Sequence, residues 1–155
     1  MKAQELRIGN LVRLFLGVDD NGPKYREYKI EGIMTDSIGS SHYLVGNMWI
    51  EVSNNLEPIP LTEDWLLKFG FRKVSVCEYE LSIKLEKFED WWDYYKEEET
   101  SIYVILEDGI MVEVSKVGVK LEDEDLEVMS FKLPHIKNVH QLQNFFHSLT
   151  NEELI

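Results

Sequence analysis

The chain has 155 residues and a formal net charge of −13, a length that suits one domain, or two small ones, burying about two-thirds of the surface the unfolded chain exposes. Its single cysteine, Cys77, excludes an internal disulfide and any cysteine-rich metal cluster, which predicts a reducing compartment, the cytoplasm. MKAQELRIGN lacks an apolar core of signal-peptide length and no apolar run approaches the ~18 residues of a membrane span, so neither export nor membrane insertion is expected.

Residues 1–60 read as β structure. Leu11 to Leu16, Tyr25 to Met34, Tyr43 to Val45 and Met48 to Val52 are short runs rich in β-branched and aromatic residues, separated by DDNGP, DSIGSS and Gly46-Asn47. Short strands with tight turns and no helix predict a small SH3-like β-barrel, an architecture that by itself decides no function.

PIPLTEDWLLKFGF predicts a helix over 63–69. Thr62 is placed as N-cap, Glu63 and Asp64 complement the positive helix end, and Gly70 can take the left-handed stop. Leu61 and Leu66 are spaced as a hydrophobic staple. Trp65, Leu66 and Phe69 share a face and are read as core.

Val74 to Leu85 reads as a strand, and Asp108-Gly109 between two apolar runs is the strongest short hairpin signal in the chain. Leu126 to Leu133 makes a further strand, closed by Pro134. Asn138 with Gln141 predicts a helix start, Val139, Leu142, Phe146 and Leu149 form one apolar stripe, and Asn151 is placed to stop the helix in a left-handed turn. The whole is an α+β fold: a barrel-like subdomain over 1–60, then a 61–155 subdomain of short helix, antiparallel sheet and terminal amphipathic helix lying on that sheet.

Leu6 to Asn10, Leu61 to Phe71 and Val139 to Leu154 span the chain as a leucine-arginine-isoleucine-glycine-asparagine start, a leucine-threonine-glutamate helix and a valine-histidine-glutamine-leucine-glutamine-asparagine helix. In these motifs the sequence resembles a family of small uncharacterised proteins from Bacteroidetes genomes, prophages and mobile elements. The resemblance implies ancestry and a mobile-element setting, with no catalytic residues to carry over. Asn151 stands where the family usually has glycine, and residues 88–100 are longer and more acidic than the family's usual middle.

Catalytic signatures are missing. His140 and His147 lie on one helix side but ~10 Å apart along the axis, and the H-E-x-x-H spacing is absent. In EDEDLE, 122–127, Asp123, Asp125 and Glu127 alternate, yet a calcium loop starting at Asp123 needs glycine where Val128 stands. His42 and His135 fit no ligand pattern either, and there is no phosphate loop, dinucleotide fingerprint or nucleophile elbow. Strand alternation puts Cys77 on the same face as Ser75 and Tyr79, and its nearest charged neighbours in sequence are Glu78 and Glu80, which disfavour the thiolate. Neither an enzyme nor a bound cofactor or metal is expected.

Charge is strongly segregated. Residues 78–127 hold 17 acids against 5 bases, a field that repels phosphate backbones and argues against direct nucleic-acid binding. Inside it, FEDWWDYYKEEET (88–100) sets five bulky aromatics among six acids. As a helix, Phe88, Trp91, Trp92 and Tyr95 would form one stripe, with Tyr94 off it. Tryptophan, tyrosine and carboxylates together suit arginine or lysine, so Glu89, Asp90, Trp91, Trp92, Asp93, Tyr94 and Tyr95 are the expected contact residues for a basic protein partner. An acidic protein of this kind can act as an inhibitor by occupying a nucleic-acid-binding surface of a host protein. The alternatives are carbohydrate binding by the aromatic platform and a structural role in a phage particle.

Overall fold

The computed structural model describes residues 5–51, 56–84, 99–106, 110–117 and 128–155. The described chain is α+β, mostly strand, and divides into two compact units: Met1–Pro60 with Asn138–Leu154, and Leu61–Lys137 with Ile155. Each contains one five-stranded antiparallel sheet.

In the first unit the strands are β1 (Leu11–Asp19), β2 (Gly22–Thr35), β3 (Ser41–Val45), β4 (Met48–Glu51) and β5 (Leu56–Glu57), in the order β4-β3-β2-β1-β5. Two tight turns set the register. Asp19 pairs with Gly22 across Asp20-Asn21, and the Asp19 carboxylate accepts the Asn21 N–H at 3.0 Å. Val45 pairs with Met48 across Gly46-Asn47, both at positive φ (52° and 70°), the geometry a two-residue hairpin turn requires. A Cβ on Gly46 would come within 2.6 Å of the Tyr28 ring, so glycine also makes room for that ring.

Bulges between Phe15 and Gly17 and between Ile30 and Gly32 interrupt the ladders, and such irregularities bend a strand. The long β2 thereby serves β1 along its first part and β3 along its second. Alternation delivers Val12, Leu14, Ile30, Tyr43 and Val45 to one buried cluster with Leu6 and Leu56, against which Tyr28 and Ile50 pack. Among the described residues no ladder joins β4 to β5. The sheet is therefore open where a closed SH3-like barrel was expected; β5 has only two residues, both paired with β1.

The second unit begins with α1 (Glu63–Lys68). Thr62 occupies the N-cap position in extended backbone, although its side chain makes no capping bond. Leu61 and Leu66 are both buried, as a staple demands. The helix stops as its glycine predicts: Gly70 has φ +83°, its N–H reaches Leu67 O, and Phe71 N–H reaches Leu66 O at 3.0 Å. These two bonds, with Phe71 and Leu66 both buried, form a Schellman motif. Trp65 departs from the core reading. It is half-buried, packed on Phe69 (5.5 Å between centroids) and covered by the Lys68 ammonium at 4.1 Å.

The sheet that follows is a meander of β6 (Arg72–Lys73), β7 (Glu78–Lys84), β8 (Glu99–Ile105), β9 (Met111–Val117) and β10 (Val128–Leu133). The expected Val74–Leu85 strand starts late, because residues 75–77 form a bend in which the N–H groups of Val74 and Ser75 both turn to Glu78 O. Cys77 lies in that bend, so the alternation argument that placed it on a strand face does not apply. One face of the sheet is apolar and buries Tyr79, Ile83, Ile102, Val104 and Val112.

Whereas the sequence placed the terminal helix α2 (Val139–Thr150) with residues 61–155 on their sheet, it groups with the first unit. Its start is tied there by Val139 N–H to Ile59 O (2.9 Å) and by a bridge between Pro60 and Asn138. Gln141 accepts the Asn138 N–H at 3.1 Å, the expected reach-back, and Asn151 ends the helix at φ 58°. Val139, His140, Leu142, Gln143 and Phe146 are buried. His140 is a costly member of that set: both ring nitrogens lack a hydrogen-bond partner among the described residues, an arrangement worth about 1–3 kcal/mol of lost stability.

Candidate interaction surface

Glu89, Asp90, Trp91, Trp92, Asp93, Tyr94 and Tyr95 lie outside the described residues, as do Asp108-Gly109 and EDEDLE. The strands that flank them are described, and their register carries information. The β7–β8 ladder ends at Lys84 opposite Glu99, and the β9–β10 ladder ends at Val117 opposite Val128. One residue inward from those ends, Thr100 pairs with Lys116 and locks the two hairpins side by side. Connections 85–98 and 118–127 therefore both leave from the same end of the sheet.

The two connections that share this exit are rich in acid. Residues 85–98 contain six acids and two bases, and residues 118–127 contain five acids and one base. Two segments of 24 residues together thus hold eight of the thirteen net negative charges. Sequence reasoning found both segments acidic but had no means of bringing them to one sheet end. The signal was present in the hairpin count, since every second connection of a meander returns to the same side.

Register also lays out the face opposite the apolar one. Arg72, Glu80, Tyr103, Glu113 and Lys132 align in one row across five strands, and Ser82 and Ser101 in the next. Glu80 is the hub of this face. It accepts from Arg72 Nη2 at 2.5 Å, from the Tyr103 hydroxyl at 2.9 Å and from the Ser101 hydroxyl at 3.3 Å. Arg72 first and Tyr103 second hold its carboxyl below the usual carboxylate range. The bond to Glu80, helped by burial, pushes the Tyr103 hydroxyl up. A carboxylate kept ionised and a phenol kept protonated are poised against proton transfer near neutral pH. This row is built to hold charges in place.

A similar group ties α1 to the sheet. Lys73 Nζ donates to Glu63 at 2.6 Å, which holds the Glu63 carboxyl low and the lysine high. The buried Tyr79 hydroxyl is raised chiefly by its removal from water. Among the described residues no three histidine, cysteine or acidic side chains group as a metal site. His42 meets Asp36 at 3.1 Å, and His147 reaches Glu152 O at 3.2 Å.

The start and end motifs come together in a network that is structural in character. Arg7 Nε donates to Asn144 Oδ1 at 2.8 Å, and its two terminal nitrogens reach Glu153 at 2.6 and 3.1 Å. Asn10 donates to the same Asn144 oxygen at 2.9 Å, and Leu11 N–H donates to Gln143 Oε1 at 2.9 Å. Gln143 in turn holds Leu154 O at 3.0 Å. Gly9 sits at φ +95°, where a Cβ would fall 2.8 Å from a Glu153 oxygen.

The fold is thus of the α+β class, with two open antiparallel sheets, one in each unit, and no helix of the described residues is long and apolar enough to cross a membrane. No protein-family model, curated protein or solved structure matches the chain.

Proposed function

We propose that this chain is a non-enzymatic interaction module of phage or mobile-element origin. It presents the acidic end of its second sheet to a basic surface on a partner protein. The supporting observation is that strand register sends both acid-rich connections, 85–98 and 118–127, out of one sheet end. Gathered like charge raises the local potential, speeds encounter with a cationic surface and repels a phosphate backbone. The aromatics Trp91, Trp92, Tyr94 and Tyr95 supply ring surface on which guanidinium groups stack, with Glu89, Asp90 and Asp93 to pair them. A basic groove that normally holds nucleic acid meets these requirements, so the module acts as an inhibitor by occupying it.

The test is capture from host lysate at graded salt with three baits: wild type, Trp91→Ala/Trp92→Ala, and Glu122→Gln/Asp123→Asn/Glu124→Gln/Asp125→Asn. The reading requires a nucleic-acid-binding protein that both variants lose and that salt releases from the wild type. If the two variants capture the same proteins as wild type at every salt concentration, the reading is wrong.

A further inference from the structure

His140 is the second residue of α2, 1% exposed, and neither ring nitrogen is hydrogen-bonded among the described residues. A neutral imidazole carries one donor and one acceptor, while the protonated ring carries two donors and a charge. Its position opposes that charge, because α2 has no acidic residue in its first turn and the N–H groups of that turn are themselves partly positive. Among the described residues of other elements, the Glu5 carboxylate favours a proton on the ring. Removal from water is the largest influence and holds the imidazole below its ordinary value.

The same helix end is a joint of the first unit. Asn138 and Val139 are bound to residues 59–60, and one turn later Gln143 and Asn144 hold Leu11, Asn10, Arg7 and Glu5 O. Whatever unseats the start of α2 loosens the N-terminal segment with it. We propose that His140 makes the seating of α2 on the first unit proton-sensitive: the helix is held while the ring is neutral, and acid releases it together with residues 5–11. The sign follows from linkage. The seated form favours the neutral ring, so seating is fully stable above the ordinary histidine value of about 6.5 and weakens as pH falls below it.

Amide hydrogen exchange over residues 139–150 of the full chain, corrected for intrinsic rates, tests this at about pH 7.5 and about pH 5, where one proton taken up on release raises the open population by up to about 30-fold. The expected result is such a rise in the wild type and none in His140→Met or in His140→Gln, which keeps a polar, non-titrating side chain should the apolar variant misfold. The His140 ring signal should titrate below 6.5. If the glutamine variant shows the same acid-induced opening as wild type, or if the His140 ring titrates at its ordinary value while α2 stays protected, the proposal is overturned.

Discussion

Arg7 and Glu153, 146 positions apart, meet through two hydrogen bonds of 2.6 and 3.1 Å, the fork of one guanidinium against one carboxylate. The same guanidinium also reaches Asn144 Oδ1 and Gln143 O, so one side chain fastens the N-terminal segment to α2 and to the tail beyond it. Both partners are partly exposed, which discounts the ion pair itself, but the bonds to α2 are shielded. Arg7→Ala should cost about 1–3 kcal/mol in urea unfolding. Arg7→Lys should recover less than half of that, because an ammonium cannot serve three acceptors in a plane. Wild-type stability in the lysine variant would show that the fork geometry is irrelevant.

Glycines at positive φ give a graded prediction. Gly70 (φ +83°) has nothing within 4 Å of an added Cβ, so Gly70→Ala should cost only the backbone strain, about 1 kcal/mol. Gly46 (φ +52°) adds a 2.6 Å encounter with the ring of Tyr28, which packs against the first unit's core. Gly46→Ala should therefore cost about 2–4 kcal/mol, strain plus overpacking. Equal losses at the two sites in thermal unfolding would contradict the packing described around Tyr28.

Local chemistry was legible in the sequence, and long-range placement was not. Gly70, Gly46-Asn47, the Leu61–Leu66 staple and the Asn138–Gln141 reach-back each act within six residues, and each appears as read. The seating of α2 on the first unit depends instead on pairs such as Arg7–Glu153 and Leu11–Gln143, which no periodicity encodes. The apolar stripe of α2 told that the helix is buried on one side without telling against what. Open sheet versus closed barrel turns on whether β4 meets β5, a question of overall strand curvature that no local pattern encodes. Of the expected site, charge and aromaticity were readable, and the shared exit of 85–98 and 118–127 required the register.

Acid should act on the second unit in a different window from His140. The Glu80 carboxyl is held below its ordinary value by Arg72 and then Tyr103. A depressed folded-state value contributes stability that is present above the unfolded value of about 4.5 and is lost as pH falls through the folded value. Glu80→Gln should therefore lower stability by a constant amount between about pH 5 and 7 and flatten the dependence of unfolding on pH below about 4.5. Denaturant midpoints across that range check it. An unaltered slope in the glutamine variant would remove Glu80 from the account.

Finally, the proposed acidic contact surface has a consequence that needs no partner. On that proposal the eight net negative charges of 85–98 and 118–127 repel one another, and the repulsion is screened over a length of about 10 Å at 0.1 M salt. Raising potassium chloride from about 0.05 to about 0.5 M should shorten that length more than twofold and stabilise the second unit by about 0.5–1 kcal/mol. Glu122→Gln/Asp123→Asn/Glu124→Gln/Asp125→Asn should produce a similar gain at low salt and lose most of the salt response. Amide exchange in β8 and β9 separates this unit from the first. Exchange there that is indifferent to both salt and the neutralising substitutions would mean that the two acidic connections do not share one field, and the proposed contact surface would go with it.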